Sequence, residues 1–253
     1  MRPMTTPSGT SQSPPPAHVK VFFLCGGLGT RLRKVECRPK AIIPVAGVPF
    51  MGYSLRLLER QGFGRICLLL GHGADEVARV FHGERFEHSR EREPLGTGGA
   101  LALAREKAAE WNLILNGDSY AEVIFEDLLR EHVRRESASP GGVSLFAVYQ
   151  DDCRDYGALE IDDGRVVSFR EKGVGGPGWI NAGVYATGRR FFDGLPSGKF
   201  GLETDLLPAL AREGRLWAVK QRFLFLDIGT PERLARAEQV FQRISRRPAG
   251  AGS

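Results

Sequence analysis

The hydrophobic positions of the chain fall into two regimes. Up to about residue 115, short continuous apolar runs alternate with stretches of helical spacing, whereas from residue 142 brief strands succeed one another across tight turns. The first run, VKVFFLCGG at 19–27, is β-branched and aromatic and ends in glycines, the form of a buried parallel strand opening into a phosphate loop. Helical spacing predicts a helix over 51–61, stopped by Gly62 and Gly64, and RICLLL at 65–70 reads as the next buried strand. A helix is expected at 75–81, an Ala-rich helix at 99–111, and a strand at 112–115 that halts at Asn116-Gly117-Asp118. The second regime gives strands at 143–149, 158–161, 166–170 and 180–185, with Asp162-Asp163-Gly164 as one turn. A helix at 203–213, a strand at 217–225 and a helix at 231–245 follow.

Repeated strand, loop and helix units predict an α/β domain with a mixed, mostly parallel sheet flanked by helices, its ligands bound beyond the carboxyl ends of the strands. One domain is expected over 18–245, between a disordered tail at 1–17 rich in Pro, Ser and Thr and a second frayed end at 246–253. No internal repeat interrupts it.

Composition narrows the chemistry. The 253 residues carry 35 Lys and Arg against 30 Asp and Glu, a net charge of +5 that suits anionic small molecules as well as nucleic acid. The Arg-rich stretches at 130–135 and 233–247 read as solvated helix faces, and with neither aromatic interleaving nor a reader motif, nucleic acid is not an expected partner. Cys25, Cys37, Cys67 and Cys153 lack CxxC spacing, which argues against a zinc site or a disulfide framework and fits a reducing compartment. No run approaches the roughly 20 apolar residues of a membrane-spanning helix. The N-terminal segment lacks the apolar core of a secretory signal, so no membrane partner and a cytoplasmic location are expected.

The densest chemical signal is Cys25-Gly26-Gly27-Leu28-Gly29-Thr30-Arg31-Leu32, followed by Pro39-Lys40-Ala41-Ile42-Ile43-Pro44-Val45. Gly26, Gly27 and Gly29 let the main chain and Thr30 approach a triphosphate, while Arg31 and Lys40 put positive charge where pyrophosphate would leave. Neither the Walker pattern nor the GxGxxG fingerprint is present, and a Gly-rich turn alone is as readily structural.

Together, GGxGTRL and PKxxxPV resemble the signature of the sugar nucleotidylyltransferase family, and the resemblance runs from about residue 19 to about 238. It implies a Rossmann-like fold of the nucleotide-diphospho-sugar transferase type, dependence on Mg²⁺, a homo-oligomer, and transfer of a nucleoside monophosphate from a nucleoside triphosphate to a sugar 1-phosphate. The chain departs from the pattern at Cys25, where Ala is usual, and in a short 34–39 stretch carrying Lys34, Glu36 and Arg38.

By the same resemblance Asp118 and Asp227, each at a strand end, are the metal ligands, hard oxygen donors of the kind Mg²⁺ takes. Read alone, each is equally a cap or turn residue. The segment Glu93-Pro94-Leu95-Gly96-Thr97-Gly98-Gly99-Ala100 resembles the heptose-1-phosphate guanylyltransferase branch. It puts Glu93, Gly98 and Asn116 on the nucleotide, with Glu93 able to accept from the N1–H and amino group of guanine. Glu171, Lys172, Asn181 and Glu203 match positions on the sugar-phosphate side. GTP and D-glycero-α-D-manno-heptose 1-phosphate are the substrates this implies. Two alternatives stand beside it: a guanylyl-, thymidylyl- or uridylyltransferase for mannose or glucose 1-phosphate, and a non-catalytic protein that binds a sugar nucleotide as a sensor.

Overall fold

A computed structural model describes residues 13–246 except 28, 30, 33–35, 170–172 and 174. In chain order its elements are β1 (Val19–Leu24), the short hairpin β2 (Pro44–Val45) and β3 (Val48–Pro49), α1 (Phe50–Arg60), β4 (Arg65–Leu70), α2 (Ala74–Val80), β5 (Phe86–Arg90), α3 (Gly96–Leu103) and β6 (Trp111–Asn116). There follow β7 (Ser119–Ala121), α4 (Phe125–Glu136), β8 (Val143–Gln150), β9 (Leu159–Asp162), β10 (Arg165–Phe169), β11 (Gly178–Gly188), α5 (Arg189–Asp193), α6 (Leu207–Arg212), β12 (Leu216–Gln221), β13 (Phe225–Asp227) and α7 (Pro231–Ser245).

Nine strands form one sheet in the order β5-β4-β1-β6-β11-β8-β12-β10-β9. The first four are mutually parallel, β11 runs antiparallel to both β6 and β8, and β12 is parallel to β8. Strand side chains alternate between faces. In β1, Val19, Val21 and Phe23 accordingly enter one core, with α1, α2, α4 and α7, while Phe22 enters the other, with α3, α5 and α6. Burial of each such Phe, Leu or Val contributes on the order of 1.5–3 kcal/mol, so a sheet covered on both faces is the stable outcome of this pattern. Lys20, 1% exposed within β1, is satisfied by Glu87 of β5. The last helix begins where its sequence says, with the Thr230 hydroxyl accepting from Arg233 N at 3.4 Å and Pro231 in its first turn.

The α/β architecture and the elements at 51–61, 65–70, 75–81 and 231–245 match the expectations to within a residue or two at their ends. Three expectations are corrected. The Ala-rich segment is helical over Gly96–Leu103 rather than 99–111, because the chain turns at Ala104 and Arg105–Lys107 form a single 3₁₀ turn before β6. The strand expected at 217–225 is two strands in different sheets: β12 joins the main sheet, and β13 pairs antiparallel with β7. The helix expected at 203–213 opens with a π-helical turn, Leu202–Leu206, and continues as α6. The end of the expected tail is described: Pro16–His18 form a 3₁₀ turn, and the Ser13 hydroxyl donates to Glu126 at 2.7 Å.

Candidate active site

The chain leaves β1 for β4 on one side and returns to β6 on the other, so the connections that leave the paired ends of β1 and β6 part above a crevice. There a cavity of about 440 Å³ opens, large enough for a nucleotide-sized ligand. Its floor is Leu24, Cys25, Gly26 and Gly27 beyond β1 and Asn116, Gly117 and Asp118 beyond β6. The β1–β6 register sets Leu24 opposite Asn116, and Gly117 N donates to Leu24 O at 3.1 Å, which ties the two strand ends together. Cys25 is buried beneath this floor, its thiol 3.5 Å from Met51 Sδ and pushed up by desolvation and then by Asp118. It is a packing residue.

Lys40 enters from the 3₁₀ turn Lys40–Ile42, and its Nζ lies 2.8 Å from Asp118 Oδ2. Glu91, just past the end of β5, forms the wall on one side; its Oε2 accepts from Leu95 N at 3.0 Å. On the other side Asn116 Nδ2 donates to Glu203 Oε1 at 3.1 Å, and the Tyr185 hydroxyl donates to the same oxygen at 3.0 Å. Tyr185 is fully buried, its hydroxyl held by Asn181 Nδ2 at 2.7 Å and its pKa raised by desolvation and by Glu203. Asn181 Oδ1 in turn accepts from Gly183 N at 2.9 Å, so Asn181 supports Glu203 through Tyr185. Gly183 has φ +71°, and a Cβ there would sit 2.7 Å from Asn116 Nδ2; both the conformation and the space call for glycine.

Of the residues expected at a site, Gly26, Gly27, Lys40, Asn116, Asp118 and Glu203 share this cavity. Gly29 lies beside the Lys40 side chain at φ +61°. Arg31 and Glu93 are exposed and outside the lining, and Gly98 is buried, where an added Cβ would meet the Phe200 ring at 2.2 Å. Glu93 lies outside the cavity, and the carboxylate on its wall is Glu91, which directly follows β5. Thr30, Glu171 and Lys172 lie outside the described residues.

Asp227 is brought near Asp118 by the β7–β13 ribbon, in which Asp227 opposes Ser119 and Ile228 N donates to Asp118 O at 3.1 Å. Its carboxylate does not line the cavity. Oδ1 accepts from Arg233 Nη1 at 2.9 Å and Gly229 N at 3.0 Å, and Oδ2 accepts from the Tyr156 hydroxyl. Burial and then this bond push the Tyr156 hydroxyl far up. Asp118 fits a hard cation, its carboxylate 35% exposed and facing the cavity with Lys40 on one oxygen; Asp227 is already engaged. Among the described residues, no group of three or more His, Cys, Asp or Glu side chains could hold a metal ion, so substrate oxygens and water would complete the shell around Asp118.

Sequence reasoning missed Glu91, Lys199, Tyr185 and Arg233. Glu91 follows β5, whose sequence FEHSR at 86–90 is too polar to announce a strand. Lys199, on the cavity lining in a Ser-Gly-Lys turn, had no signal.

The profile of the nucleotidyl transferase family matches residues 20–243. D-glycero-alpha-D-manno-heptose 1-phosphate guanylyltransferase of Aneurinibacillus thermoaerophilus is 32% identical over 88% of this chain and 99% of its own. Mannose-1-phosphate guanylyltransferase of Mycobacterium tuberculosis is 31% identical over 92% of this chain and 68% of its own. The crystal structure of HddC from Yersinia pseudotuberculosis superposes with a TM-score of 0.76 at 35% identity, over 88% of this chain and 99% of that one, and a second structure of it holds GMP-PN.

Proposed function

The chain belongs to the nucleotidyl transferase family, and from that premise we infer that it transfers GMP from GTP to a sugar 1-phosphate, releasing pyrophosphate and forming a GDP-sugar. The observation that carries this reading is the Lys40–Asp118 pair on the cavity floor, with one wall carboxylate, Glu91, on the side of the 93–100 segment and another, Glu203, opposite. The sugar we propose is D-glycero-α-D-manno-heptose 1-phosphate, the substrate named for the relative matched over nearly its whole length.

A phosphate oxygen of the sugar, already ionised at neutral pH, attacks the α-phosphorus in line. The bond to the bridging oxygen of the β-phosphate breaks, and pyrophosphate departs with the electron pair. No proton needs to be removed from the nucleophile, so the site works by positioning and charge. Gly26 and Gly27 admit the phosphates close to the main chain, and Lys40 neutralises charge building toward the leaving group. Arg31, exposed within the same loop, is the second cation assigned to the triphosphate. Glu91 accepts from the N1–H and amino group of guanine, an edge that adenine lacks. Glu203, with Oε1 held by Asn116 and Tyr185, offers Oε2 to a sugar hydroxyl. Lys199, with Lys172, meets the sugar phosphate. Mg²⁺, when bound, would be held by Asp118, with Asp227 as the second carboxylate, and would supply charge neutralisation on the phosphates.

The test is pyrophosphate release with Mg²⁺ across four nucleoside triphosphates and a panel of sugar 1-phosphates that includes the heptose, mannose and glucose forms. Turnover with GTP and the heptose phosphate is expected. A different preferred pair would keep the reaction and replace the substrates; no turnover with any pair would overturn the reading.

A further inference from the structure

Arg233 stands in the first turn of α7 with its guanidinium only 16% exposed, and it does three things at once. Nη1 donates to Asp227 Oδ1 at 2.9 Å, Nη2 to Asp155 Oδ2 at 2.7 Å, and the guanidinium lies 4.2 Å from the centre of the Tyr156 ring. The Tyr156 hydroxyl meanwhile donates to Asp227 Oδ2. Both oxygens of Asp227 are therefore taken by donors, and a fixed positive charge sits against a carboxylate that is 10% exposed. Asp118 also carries a cation, Lys40, on Oδ2 and accepts from the Ser119 hydroxyl on Oδ1 at 3.4 Å, but it is 35% exposed, it lines the cavity, and Lys40 is on the substrate side.

A divalent cation at Asp227 would meet this guanidinium at close range in a poorly solvated place, where like charges repel strongly. The two cations cannot share the carboxylate at full strength. Asp155, 61% exposed and already bonded to the other end of the fork, gives the guanidinium a second carboxylate to lean on.

We propose that Arg233 is a built-in competitor for the metal at Asp227, so that the free protein offers a divalent cation one carboxylate, Asp118, and Asp227 joins only when the arginine yields toward Asp155. Arg233 is a positioning residue in this scheme. It reaches neither substrate nor reacting atoms; it sets whether Asp227 can be a ligand. The inference rests on the reading that a divalent cation occupies this cleft.

The experiment is Mn²⁺ binding to the full chain without nucleotide, by titration calorimetry and by the loss of the free-Mn²⁺ paramagnetic resonance signal. Arg233→Gln is expected to bind Mn²⁺ about tenfold more tightly than the unchanged chain, and the gain is expected to vanish in Arg233→Gln with Asp227→Asn. Equal or weaker binding by Arg233→Gln, or a gain that survives Asp227→Asn, would overturn the proposal. If circular dichroism shows Arg233→Gln unfolded, Arg233→Lys decides: a point charge that cannot span both carboxylates should still give about a threefold gain, and no gain overturns the idea. Asp118→Asn, measured alongside, separates the two levels of the argument. Its loss of Mn²⁺ binding upholds the metal reading whatever Arg233 does, and unchanged binding removes that reading and the proposal together.

Discussion

Lys40 Nζ lies 2.8 Å from Asp118 Oδ2, so the residue proposed to neutralise the phosphates is paired with the residue proposed to hold the metal. The two side chains are 20% and 35% exposed, and an ion pair in such a setting adds only about 0–1 kcal/mol to stability. Lys40→Met should therefore leave the thermal midpoint nearly unchanged while lowering kcat by about 10²- to 10³-fold, the range for losing one charge-stabilising donor. Steady-state pyrophosphate release and a melting curve on the same preparation check both halves. A large fall in midpoint with kcat preserved would assign Lys40 to the scaffold.

Base preference should follow Glu91. A hydrogen bond to a charged group contributes about 1.5–3 kcal/mol, so Glu91→Gln is expected to cut the kcat/KM preference for GTP over ATP by about 10- to 100-fold. Glu93→Gln, on the exposed side of the segment, should change it less than about threefold. Competition assays with both triphosphates read the ratio directly, and the reverse ranking would return the role to Glu93.

Gly183→Ala should be costly out of proportion to one methyl group. The added Cβ would be forced into a left-handed backbone at φ +71° and against Asn116. The expected loss is about 1–3 kcal/mol in denaturant unfolding, with weaker sugar-phosphate binding because Asn116 helps hold Glu203. An unaltered unfolding midpoint would show that β11 can shift to accept the side chain.

Acid stability should report on His132. It is buried between α4 and β8 beside Ser144, and desolvation lowers its pKa from 6.5 to about 4. The unfolded chain then binds more protons than the folded one between these values. The stability contributed by the neutral ring is complete above pH 6.5 and is lost as pH falls, by about 3 kcal/mol in total near pH 4. Glu136, raised by burial, acts in the opposite sense. The quantity to measure is accordingly the difference in unfolding free energy between the unchanged chain and His132→Gln from pH 7 to pH 4, and a flat difference would contradict the assignment.

The parallel half was legible because each buried strand is a continuous apolar run and each helix has one apolar face, patterns that local sequence states directly. The loop at 26–40 and the strand end at 116–118 were legible for the same reason: glycines and polar residues immediately after an apolar run mark where a strand opens into a crevice. What stayed hidden depends on distant pairing. β12 and β13 read as one strand because nothing local says that β13 leaves the sheet to join β7. Glu91 escaped notice because the half-buried β5, with Glu87 and His88, has no apolar run to announce it. Arg233 read as part of a solvated face, since the carboxylates it meets lie 6 and 78 residues away along the chain.

The carbonyl of Phe200 accepts from both Gly98 N and Gly99 N, at 3.1 and 3.2 Å, and Phe200 N donates back to Leu95 O at 3.0 Å. Three main-chain bonds thus fasten the segment proposed to lie beside the base to the stretch that carries Lys199 and Glu203. Neither loop is an interchangeable cassette. Grafting a foreign sugar loop onto this scaffold would carry a penalty in nucleotide choice, and a drift in one preference during divergence would have to be accompanied by compensating change in the other.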